Sequence, residues 1–334
     1  MREKKRNNVE KKGFICILLV IGLTMVTMII PVQGQEAKFP SKPMEIVVPF
    51  APGGIIDVGT RIIAVPLSRE LGVPVIIRNL GGAGGLTGAV EFLNTKPDGY
   101  TLLSSSAGAI ISTVQLAKTP PFDPRKDLLP VGYIADSPAA MSVNKNSPFK
   151  SFDEFVQFGK NNPGKLIGGT SSLGGESHIM FVGITEDTKI KTKLVPYAGS
   201  GPVFTALLGG HIDWTTQSLP ATMPFSKSGD VRVLLLTRAS SEFPGVPAGS
   251  DIGLPSVSVN MWVGFLTHPQ IPKSAHARLV SAVETATKDP ETAKRFTNAG
   301  FNVAYKNPQG FSNLIREQWN TLAKILEATG MKAK

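Results

Sequence analysis

The chain has 334 residues, of which 42% are hydrophobic and 18% are charged, and its formal net charge at pH 7 is +10. These proportions are ordinary for a soluble globular protein, and the length predicts about two domains of roughly 150 residues each. Beyond the first 34 residues no run of lysine and arginine occurs and basic residues are not interleaved with aromatic ones, which argues against a nucleic-acid partner.

Residues 1–34 have the pattern of an export signal. Six basic residues between Arg2 and Lys12 precede an uncharged apolar run at residues 13–30, and small residues follow up to Gly34. This order predicts a signal peptide, residues 1–34, that is cleaved near Gly34. An uncleaved membrane anchor is the alternative, because an apolar run of this length can span a bilayer.

Cleavage would change the charge and remove the single cysteine, Cys16. Six of the 35 basic and two of the 25 acidic residues precede Gln35, so the net charge would fall from +10 to +6. A mature chain without cysteine excludes disulfides, thiolate zinc sites, Fe–S clusters and cysteine nucleophiles. Such an exported protein must be stabilised by its hydrophobic core, which about 300 residues can supply.

The first part of the mature chain alternates strand and helix patterns. Short apolar runs predict strands at residues 44–50, 73–78 and 100–105, and apolar spacing predicts helices at 56–71 and 86–94. This alternation predicts parallel βαβ units.

A second α/β series follows a predicted crossing strand at residues 128–143. Helices are predicted at 152–160, 176–185 and 202–208, and strands at 166–169, 193–196, 212–216 and 231–237. An apolar run at 257–267 predicts the return crossing, and helices at 274–287, 290–299 and 308–329 complete the chain. The expected fold is α/β with two lobes, residues 40–138 plus 259–334 and residues 139–258, and a ligand cleft between them that closes about two crossover strands.

Two templates for nucleotide binding fail. The glycine-rich run at residues 81–85 does not fit the dinucleotide fingerprint, because the sixth position counted from Gly82 is Thr87 and Gly88 comes one place late. No phosphate-binding Walker motif occurs. A tight strand-to-helix turn is the simpler interpretation, and no cofactor is expected.

Catalytic and metal-binding patterns are also missing. The four histidines, His178, His211, His268 and His276, have no partner at metal-ligand spacing, and the serine runs lack the G-x-S-x-G elbow. His178 follows Gly174-Gly175 at a helix start, where it either contacts a ligand or braces the turn. We therefore expect neither a metal nor a catalytic residue.

Turns rich in glycine, serine and threonine follow several predicted strands. They are Gly53-Gly54, Ser104-Ser105-Ser106, Gly168-Gly169-Thr170-Ser171-Ser172 and Ala198-Gly199-Ser200-Gly201. The carboxyl ends of parallel strands are where ligands bind in α/β folds. Free backbone N–H groups at such turns, hydroxyls and helix N-termini bind a carboxylate or phosphate without an arginine. The sequence therefore predicts a binding protein.

Short motifs along the whole mature chain resemble those of a known protein family. They are Phe39-Pro40-Ser41-Lys42-Pro43, Ile46-Val47-Val48-Pro49-Phe50-Ala51-Pro52-Gly53-Gly54 with Asp57, Gly82-Ala83-Gly84-Gly85, Pro97-Asp98-Gly99-Tyr100-Thr101-Leu102-Leu103, Phe122-Asp123-Pro124, Val195-Pro196-Tyr197 with Gly199-Ser200-Gly201-Pro202, Leu207-Leu208-Gly209-Gly210, and Asp213. In number and order these resemble the substrate-binding receptors of tripartite tricarboxylate transporters, the TctC or Bug (Bordetella uptake gene) family.

The resemblance implies a periplasmic-binding-protein fold and a monomeric periplasmic receptor that delivers a small carboxylate to membrane permease subunits. A receptor that presents its ligand to a two-component sensor, or an exported hydrolase that uses cleft serines and His178, is the alternative. The resemblance implies that the ligand-binding residues are Ala51, Gly53, Gly54, Asp57 and Ser106 in the first lobe, and Thr170, Ser177, His178, Tyr197 and Ser200 in the second.

The chain also departs from the family pattern. Ile55-Ile56 replaces the small pair usual before Asp57, and Ala109 stands where threonine is common. Arg78 and Leu80 flank Asn79 in place of the Glu-Asn-Arg/Lys pattern that is usual in the family. Gln217-Ser218 stands where Asp-Asn is frequent. These changes suggest a less polar first-lobe wall and a ligand with one carboxylate and an apolar body. Ile55 is accordingly counted as a ligand-binding residue, and its pair with Ile56 is expected to set ligand preference.

Overall fold

The computed structural model describes residues 39–257, 260–328 and 331. The predicted signal peptide and residues 258–259 of the predicted return crossing lie outside the described residues. From Pro40 onward the chain forms one compact unit. Within the described ranges, no helix combines the length and the apolar character that a membrane span requires.

Strands and helices alternate through most of this unit. In chain order the strands are β1 (Met44–Val48), β2 (Val75–Asn79), β3 (Thr101–Ser105), β4 (Leu129–Ser137), β5 (Ala139–Asn144), β6 (Ile167–Thr170), β7 (Lys193–Pro196), β8 (Trp214–Ser218), β9 (Val231–Leu236), β10 (Met261–Thr267) and β11 (Asn302–Lys306). The helices are α1 (Ile55–Leu71), α2 (Leu86–Leu93), α3 (Thr113–Leu116), α4 (Phe152–Asn161), α5 (Glu176–Thr188), α6 (Ser200–Leu208), α7 (Leu219–Lys227), α8 (Lys273–Lys288), α9 (Pro290–Asn298) and α10 (Pro308–Ala328).

The first lobe is built on a six-stranded sheet with the order β11-β4-β10-β3-β1-β2. β1 pairs in parallel with β2 and β3, whereas β10 pairs antiparallel with β3 and β4. Its core contains Leu103, Trp262 and Phe311, which are 1% exposed or less. The rings of Trp262 and Phe311 meet edge to face at 5.1 Å between centroids, a favourable aromatic geometry.

The second lobe is built on a five-stranded sheet with the order β7-β6-β8-β5-β9. β6 is parallel to β7 and β8, and β5 is antiparallel to β8 and β9. Trp214 is fully buried there and stacks on Phe181 at 4.3 Å between ring centroids. A Cβ at Gly168 would overlap both rings, so the glycine in β6 lets this pair pack across the sheet.

The chain passes between the sheets at Pro138, because β4 of the first sheet ends at Ser137 and β5 of the second begins at Ala139. β10 returns beside β4, with Met261 opposite Ser137. The Ser137 hydroxyl donates a 2.7 Å hydrogen bond to the carbonyl of Gly300, which ties the end of β4 to the loop before β11.

The structure confirms the two-lobed α/β fold and most of the predicted elements. The predicted crossing strand at 128–143 is two strands in different sheets, since Pro138 cannot donate a ladder hydrogen bond. Strand β8 begins at Trp214 instead of residue 212, and β11 and α7 were not predicted. The exact lobe boundaries, residues 40–138, 139–258 and 259–334, stay a prediction.

Candidate ligand-binding site

A cavity of about 40 Å³ lies where the two lobes meet. It is lined by Phe50, Ala51, Gly54, Ile55, Ile56, Ser106 and Met261 from the first lobe and by Ser171, Ser172, Glu176, Ser177, Gly199, Ser200, Gln217 and Ser218 from the second. This volume holds roughly three water molecules, so a larger ligand requires the lobes to separate. A wider cavity of about 460 Å³ shares Phe50, Ala51, Ser171, Ser172 and Gly199 with it.

The first-lobe wall comes from the turn between β1 and α1. Gly54 is the N-cap of α1 and makes no side-chain capping bond, so the first N–H groups of the helix have no intrahelical acceptor. Ile55 and Ile56 are buried, and both line the cavity. Together with Phe50 and Met261 they make this wall largely apolar.

Asp57 holds this turn from behind. Its carboxylate is 4% exposed, accepts the N–H of Gly53 at 2.9 Å and an amide N–H of Asn79 at 3.0 Å, and pairs with Arg61 at 2.9 Å. The hydrogen bond and the charge of Asp57 raise the pKa of Arg61. Asp57 already accepts the N–H of Gly53, so that N–H is not free for an anion in this structure, and the ligand-binding role of Gly53 stays a prediction.

The second-lobe turn between β6 and α5 is held by hydroxyl groups. The oxygens of Thr170 and Ser177 lie 2.6 Å apart, and Ser171 contacts the Ser177 hydroxyl both through its own hydroxyl, at 2.9 Å, and through its backbone N–H, at 3.3 Å. Thr170 is fully buried and supports the wall, whereas Ser177 lines the cavity.

His178 braces the same turn. Its Nδ1 accepts the backbone N–H of Gly174 at 2.9 Å, and the residue does not line the cavity. Burial lowers the pKa of His178 to about 4, so the imidazole is neutral at pH 7. Of the two interpretations of this histidine, the contacts favour the structural one.

A third turn places the start of α6 at the cavity. Gly199, with φ of 117°, lies so near the first lobe that a Cβ would be 2.9 Å from the Cβ of Ala51. The Ser200 hydroxyl donates to Oε1 of Gln217 at 2.8 Å, and Nε2 of Gln217 donates to the Thr215 hydroxyl at 3.1 Å. Glycine at 199 therefore allows close approach of the lobes, and Gln217 fixes Ser200.

Sequence reasoning missed Glu176, the first residue of α5. It is 7% exposed, lines the cavity, and reaches the first lobe, where the N–H of Gly108 donates to its Oε1 at 2.7 Å and the Ser106 hydroxyl also donates to it. Burial raises the pKa of this carboxyl. Its one sequence signal is an acidic residue directly after Gly174-Gly175, at a helix start.

The structure brings together about half of the predicted binding residues. Those that line the cavity are Ala51, Gly54, Ile55, Ser106, Ser177 and Ser200. Gly53, Asp57, Thr170 and His178 do not line it, and Tyr197 lines the wider cavity. The N-termini of α1, α5 and α6 converge on the cavity, and its described lining contains no lysine, arginine or histidine. No cluster of metal-ligating side chains occurs among the residues that the structure describes.

Comparison with known proteins identifies the family. Residues 60–331 match the family model described as the tripartite tricarboxylate transporter family receptor. The periplasmic binding protein BugD is 26% identical, with a TM-score of 0.84 over 88% of this chain and 99% of BugD. A Rhodopseudomonas palustris protein solved with adipate is 26% identical, with a TM-score of 0.84 over 87% of this chain and 98% of that one.

A second protein from that organism, solved with bound malate, is 27% identical, with a TM-score of 0.80 over 86% of this chain and all of that one. The similarity extends through both lobes, and the family model covers most of the chain. The chain therefore belongs to the tripartite tricarboxylate transporter receptor family, the TctC or Bug family of periplasmic solute-binding proteins.

Proposed function

We propose that this protein captures a small carboxylate-containing metabolite in the periplasm and delivers it to the membrane permease of a tripartite tricarboxylate-type transporter. The observation that carries the proposal is the convergence of three helix N-termini on an interlobe cavity whose described lining has no basic side chain. The adipate and malate bound to two similar proteins support a carboxylate as the ligand.

The electrostatics of the helix starts favour an anion. Each helix N-terminus contributes about 0.3–1 kcal/mol to the binding of a negative charge, and about 2 kcal/mol in a partly buried geometry. Those at Ile55 and Ser200 therefore attract a carboxylate without an arginine, whereas the start of α5 already faces the carboxyl group of Glu176. Ser177 and Ser200 add hydroxyl groups to the same wall.

The contacts of His178 and the cavity serines support binding without catalysis. A serine hydrolase needs a histidine nitrogen within hydrogen-bond reach of the nucleophile. His178 directs Nδ1 at the backbone of Gly174, and the Ser177 hydroxyl is bound by Thr170 and Ser171. We therefore propose that the receptor releases its ligand unchanged.

The ligand class is tested by native mass spectrometry and by thermal unfolding. Native spectra of the protein purified without denaturation should show a bound organic acid. Thermal unfolding is then followed with malate, adipate, benzoate and leucine, each beside its amide. A carboxylate at one hundred times its Kd stabilises the protein by about 2.7 kcal/mol, whereas the amide leaves the Tm unchanged. Equal shifts for acid and amide would refute carboxylate recognition.

Gly54→Leu tests the location of the site. Gly54 lines the cavity and has an extended backbone, with φ of −81°, that accepts a side chain, so leucine would fill the ligand's space. We expect binding to weaken more than tenfold while the protein stays folded. Val65→Leu, at an exposed position of α1 that does not line the cavity, is the matched control.

Delivery is tested in cells. Uptake of the radiolabelled acid should be lost when the receptor gene is deleted, and restored by the wild-type protein and by Val65→Leu but not by Gly54→Leu. Normal uptake in the deletion strain would contradict a transport role and leave the binding result intact.

A further inference from the structure

We infer that the ligand carries a cationic group, such as an ammonium, beside its carboxylate, and that Glu176 binds that group. The inference rests on the proposed function and narrows it from carboxylates in general to zwitterionic carboxylates. It follows from the position, burial and partners of Glu176 in the cavity described above.

Glu176 is the only charged side chain among the described residues that line the cavity. It comes from the second lobe, at the first position of α5, and only 7% of it is exposed. In its ionised form a buried carboxyl beside a ligand site repels an anionic group close to it, and a cation close to it favours that ionised form against the effect of burial. The acid therefore discriminates between ligands by charge.

Neutral donors stabilise this carboxylate, and no cation does so in the described part of the chain. The N–H of Gly108 donates at 2.7 Å, and the Ser106 hydroxyl and the backbone N–H of Glu176 itself also donate. An ionised carboxylate has about four acceptor positions, so these bonds leave capacity for a further donor. An ammonium would supply both that donor and the missing positive charge.

Gly108 makes room for the carboxylate at the cavity. A Cβ at this position would overlap Oε2 of Glu176, so a side chain here would displace the acid. The π-helical turn at Gly108–Ser112 begins at this residue, which presents its N–H to Glu176 across the lobe boundary. The first lobe is therefore shaped to receive the acid when the lobes are together.

The remaining lining fits the other parts of a zwitterion. The helix starts at Ile55 and Ser200 attract its carboxylate, and the apolar wall of Ile55, Ile56 and Met261 accommodates a small apolar body. An apolar α-amino acid combines these three features. A dicarboxylate would instead place its second charge near Glu176.

Matched ligand pairs test the inference by isothermal titration calorimetry. Leucine is compared with 4-methylpentanoate, and aspartate with succinate, so that each pair differs in one ammonium group. We expect the wild-type protein to bind the ammonium-bearing member at least tenfold more tightly. Glu176→Gln should abolish this preference while its amide oxygen keeps the bond from Gly108. Glu186→Gln, an exposed acid on the same helix, is the control and should keep the preference.

The outcomes separate the two proposals. Equal or tighter binding of 4-methylpentanoate and succinate by the wild-type protein would overturn the inference without any variant and would leave the proposed function standing. A Glu176→Gln protein that loses affinity equally for both members of a pair would overturn it too, because Glu176 would then only hold the lobes together. Failure of all four acids to bind would count against the proposed function itself.

Discussion

The two lobes present different chemistry to the same cavity. The first-lobe wall is mainly apolar, with Ile55, Ile56 and Met261, whereas the second-lobe wall is mainly polar, with Glu176, Ser200 and Gln217. A ligand that fits both walls has one apolar and one polar side. The difference therefore favours a fixed orientation of the ligand, in which its apolar body faces the apolar side chains of the first lobe.

The turns that form the two walls are also held by different forces. Asp57 anchors the first turn because its carboxylate accepts charge-assisted bonds from Arg61, Gly53 and Asn79. Hydroxyl contacts around Ser177 and a neutral histidine anchor the second. Hydrogen bonds to charged groups contribute about 1.5–3 kcal/mol and neutral ones about 0.5–1.5 kcal/mol. We therefore expect the first turn to be the more strongly fixed.

Asp57→Ala should have the largest effect on stability. The substitution leaves the N–H of Gly53 and an amide N–H of Asn79 without their acceptor and removes the partner of Arg61. Because Arg61 is half exposed, we expect a loss of about 3 kcal/mol in the free energy of unfolding, at the low end for a buried ion pair. Urea unfolding of the wild-type protein and the variant measures this loss of stability.

Asp153→Ala is the control for Asp57→Ala, since Asp153 is an exposed acid in the first turn of α4. Its loss should be less than about 1 kcal/mol, the value of a helix-start charge. If both substitutions had the same effect, the first turn would not depend on Asp57, and the contrast between the two turns would fail.

A pH-dependent effect is expected in the second turn. Burial lowers the pKa of His178 to about 4, below its ordinary value of 6.5, so the unfolded chain binds the proton more readily than the folded one. The stability that the neutral imidazole contributes is therefore complete above pH 6.5 and is lost as the pH falls towards 4. At pH 5 the loss should be about 2 kcal/mol.

The measurement compares urea unfolding at pH 7 and pH 5 in the wild-type protein and in His178→Gln. The variant lacks the titrating ring and should lose less stability at pH 5. His211→Gln, which changes an exposed histidine of the same lobe, should behave like the wild type. Equal pH dependence in the His178→Gln and wild-type proteins would show that His178 does not titrate as its burial implies. Glu176 remains in every protein, so its own titration cancels in the comparison.

Much of the fold could be predicted from the sequence, because hydrophobic spacing and glycine-rich turns are local signals. The turn at Gly53-Gly54 and the start of α6 at Ser200 are examples of such signals. The role of Asp57 behind the turn and the contact of Glu176 with Gly108 depend on pairs up to 68 residues apart. The contact of Glu176 with Gly108 arises only when the lobes pack, so local patterns could not find Glu176. Asp57 acts within the first lobe, where Gly53 and Arg61 lie four residues away and Asn79 comes from β2, so its role behind the turn required the position of β2.

Thr170→Val should destabilise the protein less than Asp57→Ala does. It tests the hydroxyl contacts that hold the second turn. Valine keeps the shape of the buried side chain but loses the contact with the Ser177 hydroxyl and the bond to the carbonyl of Ser172, at 3.2 Å. Ser171 still binds the Ser177 hydroxyl, so we expect a loss of about 1–2 kcal/mol by urea unfolding. Thr321→Val, at an exposed position of α10, should cost less than about 0.5 kcal/mol. If Thr170→Val lost as much stability as Asp57→Ala, the hydroxyl contacts would fix the second turn as firmly as the ion pair fixes the first. The two walls would then differ in chemistry but not in rigidity.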